Sequence, residues 1–182
     1  MDDSTRTHLA NVRATDKTAQ NAAYTYLMTA TEAPVAWAYE AWDEVVTGLT
    51  AKDNRVRAIS AQLLCQLAKS DPENRILNDF PTLLAVTKDE RFVTARHCLQ
   101  ALWQVGLAGA AQKQLVLDGF AQRFHECETE KNGTLIRYDI SQGLWNLYAA
   151  TADEAVRERA LALLETEADP KYRRKYAAPW KQ

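Results

Sequence analysis

The sequence is poor in the residues that interrupt or cross-link a chain. Among 182 residues there are 6 glycines, 5 prolines and 3 cysteines. So little glycine and proline excludes collagen-like and low-complexity chains, and three widely spaced cysteines (Cys65, Cys98, Cys127) make neither a disulfide framework nor a metal-ligand pattern. Charge of one sign is also lacking. The 22 Lys and Arg against 24 Asp and Glu leave a net charge of -2, too little to draw a whole face onto nucleic acid or an anionic membrane. The longest uncharged stretch, His97 to Gln112, is short and carries Gln100, Gln104 and two glycines, so no membrane span is expected. The N-terminal segment is polar and acidic, without a basic stretch leading into an apolar run, and the expected location is the cytoplasm.

Period-two alternation and Asn-Gly hairpin signals are absent as well. What is present is apolar residues at spacings of three and four. Val56, Ile59, Leu63, Leu64 and Leu67 form one such stripe, and Ile136, Ile140, Leu144 and Leu147 another. The reading is all helix, with helices expected over 5–14, 17–30, 34–49, 54–69, 73–86, 90–106, 110–128, 134–150, 154–167 and 170–178. Asp16, Asp53, Asp89, Asp153 and Asp169 stand where N-caps are needed. Pro34, Pro72 and Pro170 suit first helical positions, while Pro81 is expected to kink or split the fifth helix.

The capping aspartates repeat. Asp16 to Asp53 is 37 residues and Asp53 to Asp89 is 36. Shifted by 42 residues, Ala101-Leu102-Trp103-Gln104-Val105 falls on Gly143-Leu144-Trp145-Asn146-Leu147. The helices therefore group into about five pairs, the second members starting near 17, 54, 90, 134 and 170. Asp53-Asn54-Arg55-Val56-Arg57 and Asp153-Glu154-Ala155-Val156-Arg157 both read D-x-x-V-R. This signature resembles HEAT-type repeats, including the bacterial HEAT-like subclass, over roughly residues 34–178. The segment at Asp89 departs from it, with Val93-Thr94 in place of Val-Arg. The resemblance implies an all-α, right-handed α-α superhelix, here a single domain over 1–182. An N-terminal capping pair at 1–30 and a polar C-terminal capping helix at 170–182 would close its ends.

In such solenoids the second helices line the concave face. Two of them carry polar rows at helical spacing: Arg96, His97, Gln100 and Gln104 on one, and Arg137, Tyr138, Asp139, Gln142 and Asn146 on the other. The 42-residue shift sets His97 on Asp139, Gln100 on Gln142 and Gln104 on Asn146. On adjacent exposed faces His97 would pair with Asp139, and Arg96 or Arg137 would hold an anionic group. The bland alternative is a solvated helix face with Trp103 and Trp145 in the core.

No nucleophile elbow, P-loop or H-E-x-x-H is present, and His8, His97 and His125 are scattered. His125-Glu126-Cys127 reads as a helix end rather than a metal or thiol site. Neither a metal nor a cofactor is expected. The expected function is a non-catalytic scaffold that binds a protein partner on its concave face. The competing expectation comes from aromatics and a carboxylate in a HEAT-like cleft, which resemble alkylpurine DNA glycosylases. That resemblance would cast Asp139 as catalyst with Arg96, Arg137 and Trp145 around it. Leu135 stands where that family carries Trp, and the only basic cluster is at 171–175.

Overall fold

The computed structural model describes residues 1–181; Gln182, the last residue of the expected closing helix, lies outside the described residues. Every regular element among them is helical, and none is long and apolar enough to cross a membrane. The helices are α1 (Asp3–Asn11), α2 (Lys17–Ala30), α3 (Ala38–Gly48), α4 (Asn54–Leu67), α5 (Ile76–Val86), α6 (Phe92–Leu102), α7 (Ala110–Glu126), α8 (Gly133–Thr151), α9 (Glu154–Glu165) and α10 (Pro170–Tyr176). Short 3₁₀ turns follow α4, α6, α7 and α10. The chain divides into two compact units, Met1–Cys98 and Leu99–Gln182, with the division falling within α6.

The caps explain where the helices begin. Asp16 accepts from the Thr18 and Ala19 N–H groups, Asp53 from Arg55 and Val56, Asp153 from Ala155, and Asp169 from Lys171. Each satisfies donors that a helix start leaves unpaired. Pro170 occupies the first turn of α10. Pro34 and Pro72 depart from expectation, because both lie ahead of their helices. α3 begins only at Ala38, and the N–H of Val35 is held by the Ser70 hydroxyl instead. Before α5, the Asp71 carboxylate collects the N–H groups of Arg75 and Ile76 and the Tyr39 hydroxyl, which delays the helix to Ile76. Pro81 lies inside α5 without splitting it.

In the first unit α1 packs on α2 and α3 on α4, while α2 lies beside α4 and α3 beside α5. The core between them is mainly apolar. Trp42, Leu64, Leu67, Ile76 and Leu83 are fully buried, and Trp42 satisfies its indole N–H on Asp79 at 2.7 Å. Gly48 allows α3 to close on α4: a Cβ there would collide with the Ser60 side chain. In the second unit α8 packs against α7, α9 and α10, and α7 also touches α9. Phe120, Phe124, Ile140, Leu147 and Tyr176 fill that core. The closing segment is therefore less polar than expected. Tyr176 is buried and donates to the Thr134 carbonyl, and Trp180 packs edge-on against Trp145.

Long-range side-chain hydrogen bonds recur at separations of 32 to 41 residues. Tyr24 to Gln62 spans 38 residues, Tyr39 to Asp71 32, Trp42 to Asp79 37, and Thr94 to the Asn54 carbonyl 40. In the second unit Ser141 to the Tyr176 carbonyl spans 35, and Arg159 to Asp118 spans 41. These separations bracket the spacing of the capping aspartates.

Candidate functional site

The two polar rows meet different fates. In the second unit, α8 turns much of its row inward. Asp139 is 2% exposed and accepts from the Gln100 side-chain amide at 3.2 Å. Arg137 is also buried. It pairs with Glu167 at 2.8 Å, donates to the Phe124 carbonyl at 3.0 Å and lies over the Phe124 ring. A guanidinium held from three sides joins α7, α8 and the end of α9 rather than presenting itself to a ligand. The reason is geometric. A helix row three and four residues apart spans a wide arc, and α8 is packed on three sides by α7, α9 and α10.

The remaining members of that row satisfy one another. The Gln142 amide donates to Asn146 one turn along at 3.3 Å, and the Lys175 ammonium lies 5.0 Å from the centre of the Tyr138 ring. Gln104 falls in the 3₁₀ turn after α6, which removes it from the helical face shared by Gln100. Trp103 and Trp145 are both half-buried. Asp139, the residue that the glycosylase resemblance casts as catalyst, is thus a buried carboxylate on α8.

His97 belongs to the first unit and has other neighbours. It lines a hollow of about 310 Å³ built by three helices. From α2 comes Tyr24. From α4 come Asn54, Arg55, Ala58, Ile59 and Gln62, which share one face at spacings of three and four. From α6 come Val93, Thr94 and His97. Ala58, Ile59 and Thr94 are buried and make the floor. Polar groups stand at the walls: the Tyr24 hydroxyl donates to Gln62 Oε1 at 3.1 Å, and the Gln62 amide nitrogen to the Ala58 carbonyl at 3.0 Å. Arg55 donates to the side-chain carbonyl of Asn21. Arg96 lies over the Phe92 ring beside this hollow and does not line it.

Electrostatically the hollow is mildly positive. Arg55 is the one lining side chain with a fixed charge, and no carboxylate lines it. Partial burial, helped by the nearby Arg96 charge, lowers the His97 pKa below its ordinary 6.5, so the imidazole is neutral at pH 7. An imidazole, an amide, a phenol and a guanidinium stand around a floor of Ala58, Ile59 and Thr94.

Of the residues lining this hollow the sequence pointed to His97 and not to Tyr24, Arg55 or Gln62. Asn21 to Arg55 spans 34 residues and Tyr24 to Gln62 spans 38, close to the 36 and 37 residues between the first capping aspartates. Among the described residues no group of three or more His, Cys, Asp or Glu side chains is placed to hold a metal ion. No protein-family model matches the chain, and a search among curated proteins finds no match to it either.

Proposed function

We propose that the chain is a HEAT-like binding module, each unit a short run of stacked helix pairs, and that it docks a segment of a partner protein on the second helices. The recurrence of inter-helix hydrogen bonds at 32 to 41 residues supports the repeat reading, because stacked pairs bring together residues one period apart. The three free, buried thiols fit a reducing compartment such as the cytoplasm. The observation that carries the binding reading is the hollow across α2, α4 and α6. It is assembled from α2, α4 and α6, which the repeat reading takes as second helices, and buried Ala58 and Ile59 lie in its floor beside polar lining residues. This moves the expected docking face from the helices at 90–106 and 134–150 to the first unit, with His97 common to both.

Selection of random displayed peptides on the full chain tests the proposal. Eluted peptides are titrated by fluorescence anisotropy against the wild type and a Gln62→Ala, His97→Ala variant. The expected result is a set of peptides whose binding is lost in the variant while its urea midpoint is unchanged. A selection that returns no peptide sensitive to these two substitutions removes the docking function.

A further inference from the structure

We infer that the hollow across α2, α4 and α6 takes an acidic peptide, seating a partner's Asp or Glu carboxylate on Arg55 and His97 and a neighbouring apolar side chain on Ala58, Ile59 and Val93. The inference rests on the docking function proposed above and names the chemistry of the partner.

The charge inventory points first. Arg55 supplies a fixed positive charge in the hollow, and its guanidinium is met by the neutral amide of Asn21 rather than by a carboxylate. The two nearest capping aspartates are engaged elsewhere. Asp53 accepts from the Arg55 and Val56 backbone N–H groups, and Asp89 is held by Arg57. A carboxylate entering the hollow therefore gains a charge-assisted hydrogen bond without displacing an existing ion pair.

The number of charges decides between anions. One guanidinium balances a monoanion. A phosphodiester chain needs a row of cations along its path, and the lining carries no lysine and a single arginine. Size and polarity then favour a peptide over a small acid. About 310 Å³ holds two side chains and the main chain between them. Val93 is 64% exposed at this hollow, an aliphatic side chain left without a covering partner. Gln62, Asn54 and the Tyr24 hydroxyl offer donors and acceptors of the kind a peptide backbone requires.

His97 makes the contact sensitive to pH. His97 shares the hollow with Tyr24 from α2 and Arg55 from α4, the Arg96 charge on its own helix acts on it, and among the described residues no carboxylate lines the hollow. In the free protein these surroundings disfavour the imidazolium. A bound carboxylate favours it, so binding takes up a proton and tightens as the pH falls below neutrality.

The test uses the full chain and the displayed-peptide selection. Enriched peptides should carry Asp or Glu beside an apolar residue. Replacing that acid by its amide should weaken binding about tenfold, roughly the strength of one charge-assisted hydrogen bond. Arg55→Gln should weaken the acidic peptide equally and leave the amide peptide unaffected, and His97→Gln should abolish the gain at low pH. Groove-dependent peptides that show no acid preference, or acidic peptides indifferent to Arg55→Gln, overturn the acidic assignment and leave the docking function standing. The absence of any groove-dependent peptide overturns both.

Discussion

Arg57 on α4 grips Asp89 with two nitrogens: Nε donates to one carboxylate oxygen at 2.5 Å and an η-nitrogen to the other at 2.8 Å. The remaining η-nitrogen donates to the Ala51 and Lys52 carbonyls. Arg57 is the arginine of the first D-x-x-V-R segment, and Asp89 accepts from the Arg91 N–H just ahead of α6. The arginine thus ties the segment before α6 to the loop between α3 and α4. Arg157, the arginine of the second segment, pairs with Glu154 on its own helix.

Arg57→Met should therefore lower stability by about 3 kcal/mol, because a nearly buried carboxylate loses its bidentate partner. Arg157→Met should leave the urea midpoint unchanged, since an exposed pair within one helix contributes little. Urea denaturation of both variants at neutral pH checks the contrast.

The same pair sets an acid limit. Burial alone would raise the Asp89 pKa, but the Arg57 hydrogen bonds, the Arg91 N–H and their charges outweigh it and hold it below 3.8. A folded pKa lowered in this way stabilises the protein at any pH above the unfolded value and loses that contribution as the pH falls through the folded one. The urea midpoint should be flat near neutrality and fall below about pH 4. In Arg57→Met the acid-dependent part of that fall should be smaller, which a pH series of unfolding curves measures.

Ala152 ends α8 in the left-handed region, at φ 50° and ψ 31°, with its N–H on the Tyr148 carbonyl at 2.7 Å. Its Cβ is unfavourable in that conformation, whereas glycine has none. Ala152→Gly should raise stability by about 1 kcal/mol and Ala152→Val should lower it. Thermal denaturation distinguishes the two directions. A stability loss in Ala152→Gly would show that the entropy of the unfolded chain outweighs the strain.

All three cysteines are buried, and burial raises each thiol above its ordinary value, most strongly for Cys65 and Cys98. Since the thiolate is the reactive form, none should react with a thiol-disulfide reagent in the folded protein, and all three should react in denaturant. Fast reaction of Cys65 or Cys98 under native conditions would mean that the first unit opens readily.

Local chemistry was legible in the sequence because it acts over a few residues. An aspartate bonds to N–H groups two and three positions ahead, and an apolar stripe repeats every three to four. The residues Asp16, Asp53, Asp153 and Asp169, and the stripe from Val56 to Leu67, determined the corresponding helices by themselves. Pro34 misled because a distant side chain, Ser70, holds the backbone at Val35, and Pro72 because its neighbour Asp71 collects the Arg75 and Ile76 N–H groups and the next helix starts only there.

The candidate site was decided by tertiary packing. Arg55 and Arg137 are alike as letters, each in the first turns of a helix, α4 and α8. α7, α8 and the end of α9 enclose Arg137 and pair it with Glu167, while Arg55 is left with an amide beside an open hollow. Periodicity states which residues share a helix face. Only the neighbouring helices determine whether that face is buried, self-satisfied or available, because burial and pairing depend on groups 30 to 40 residues away.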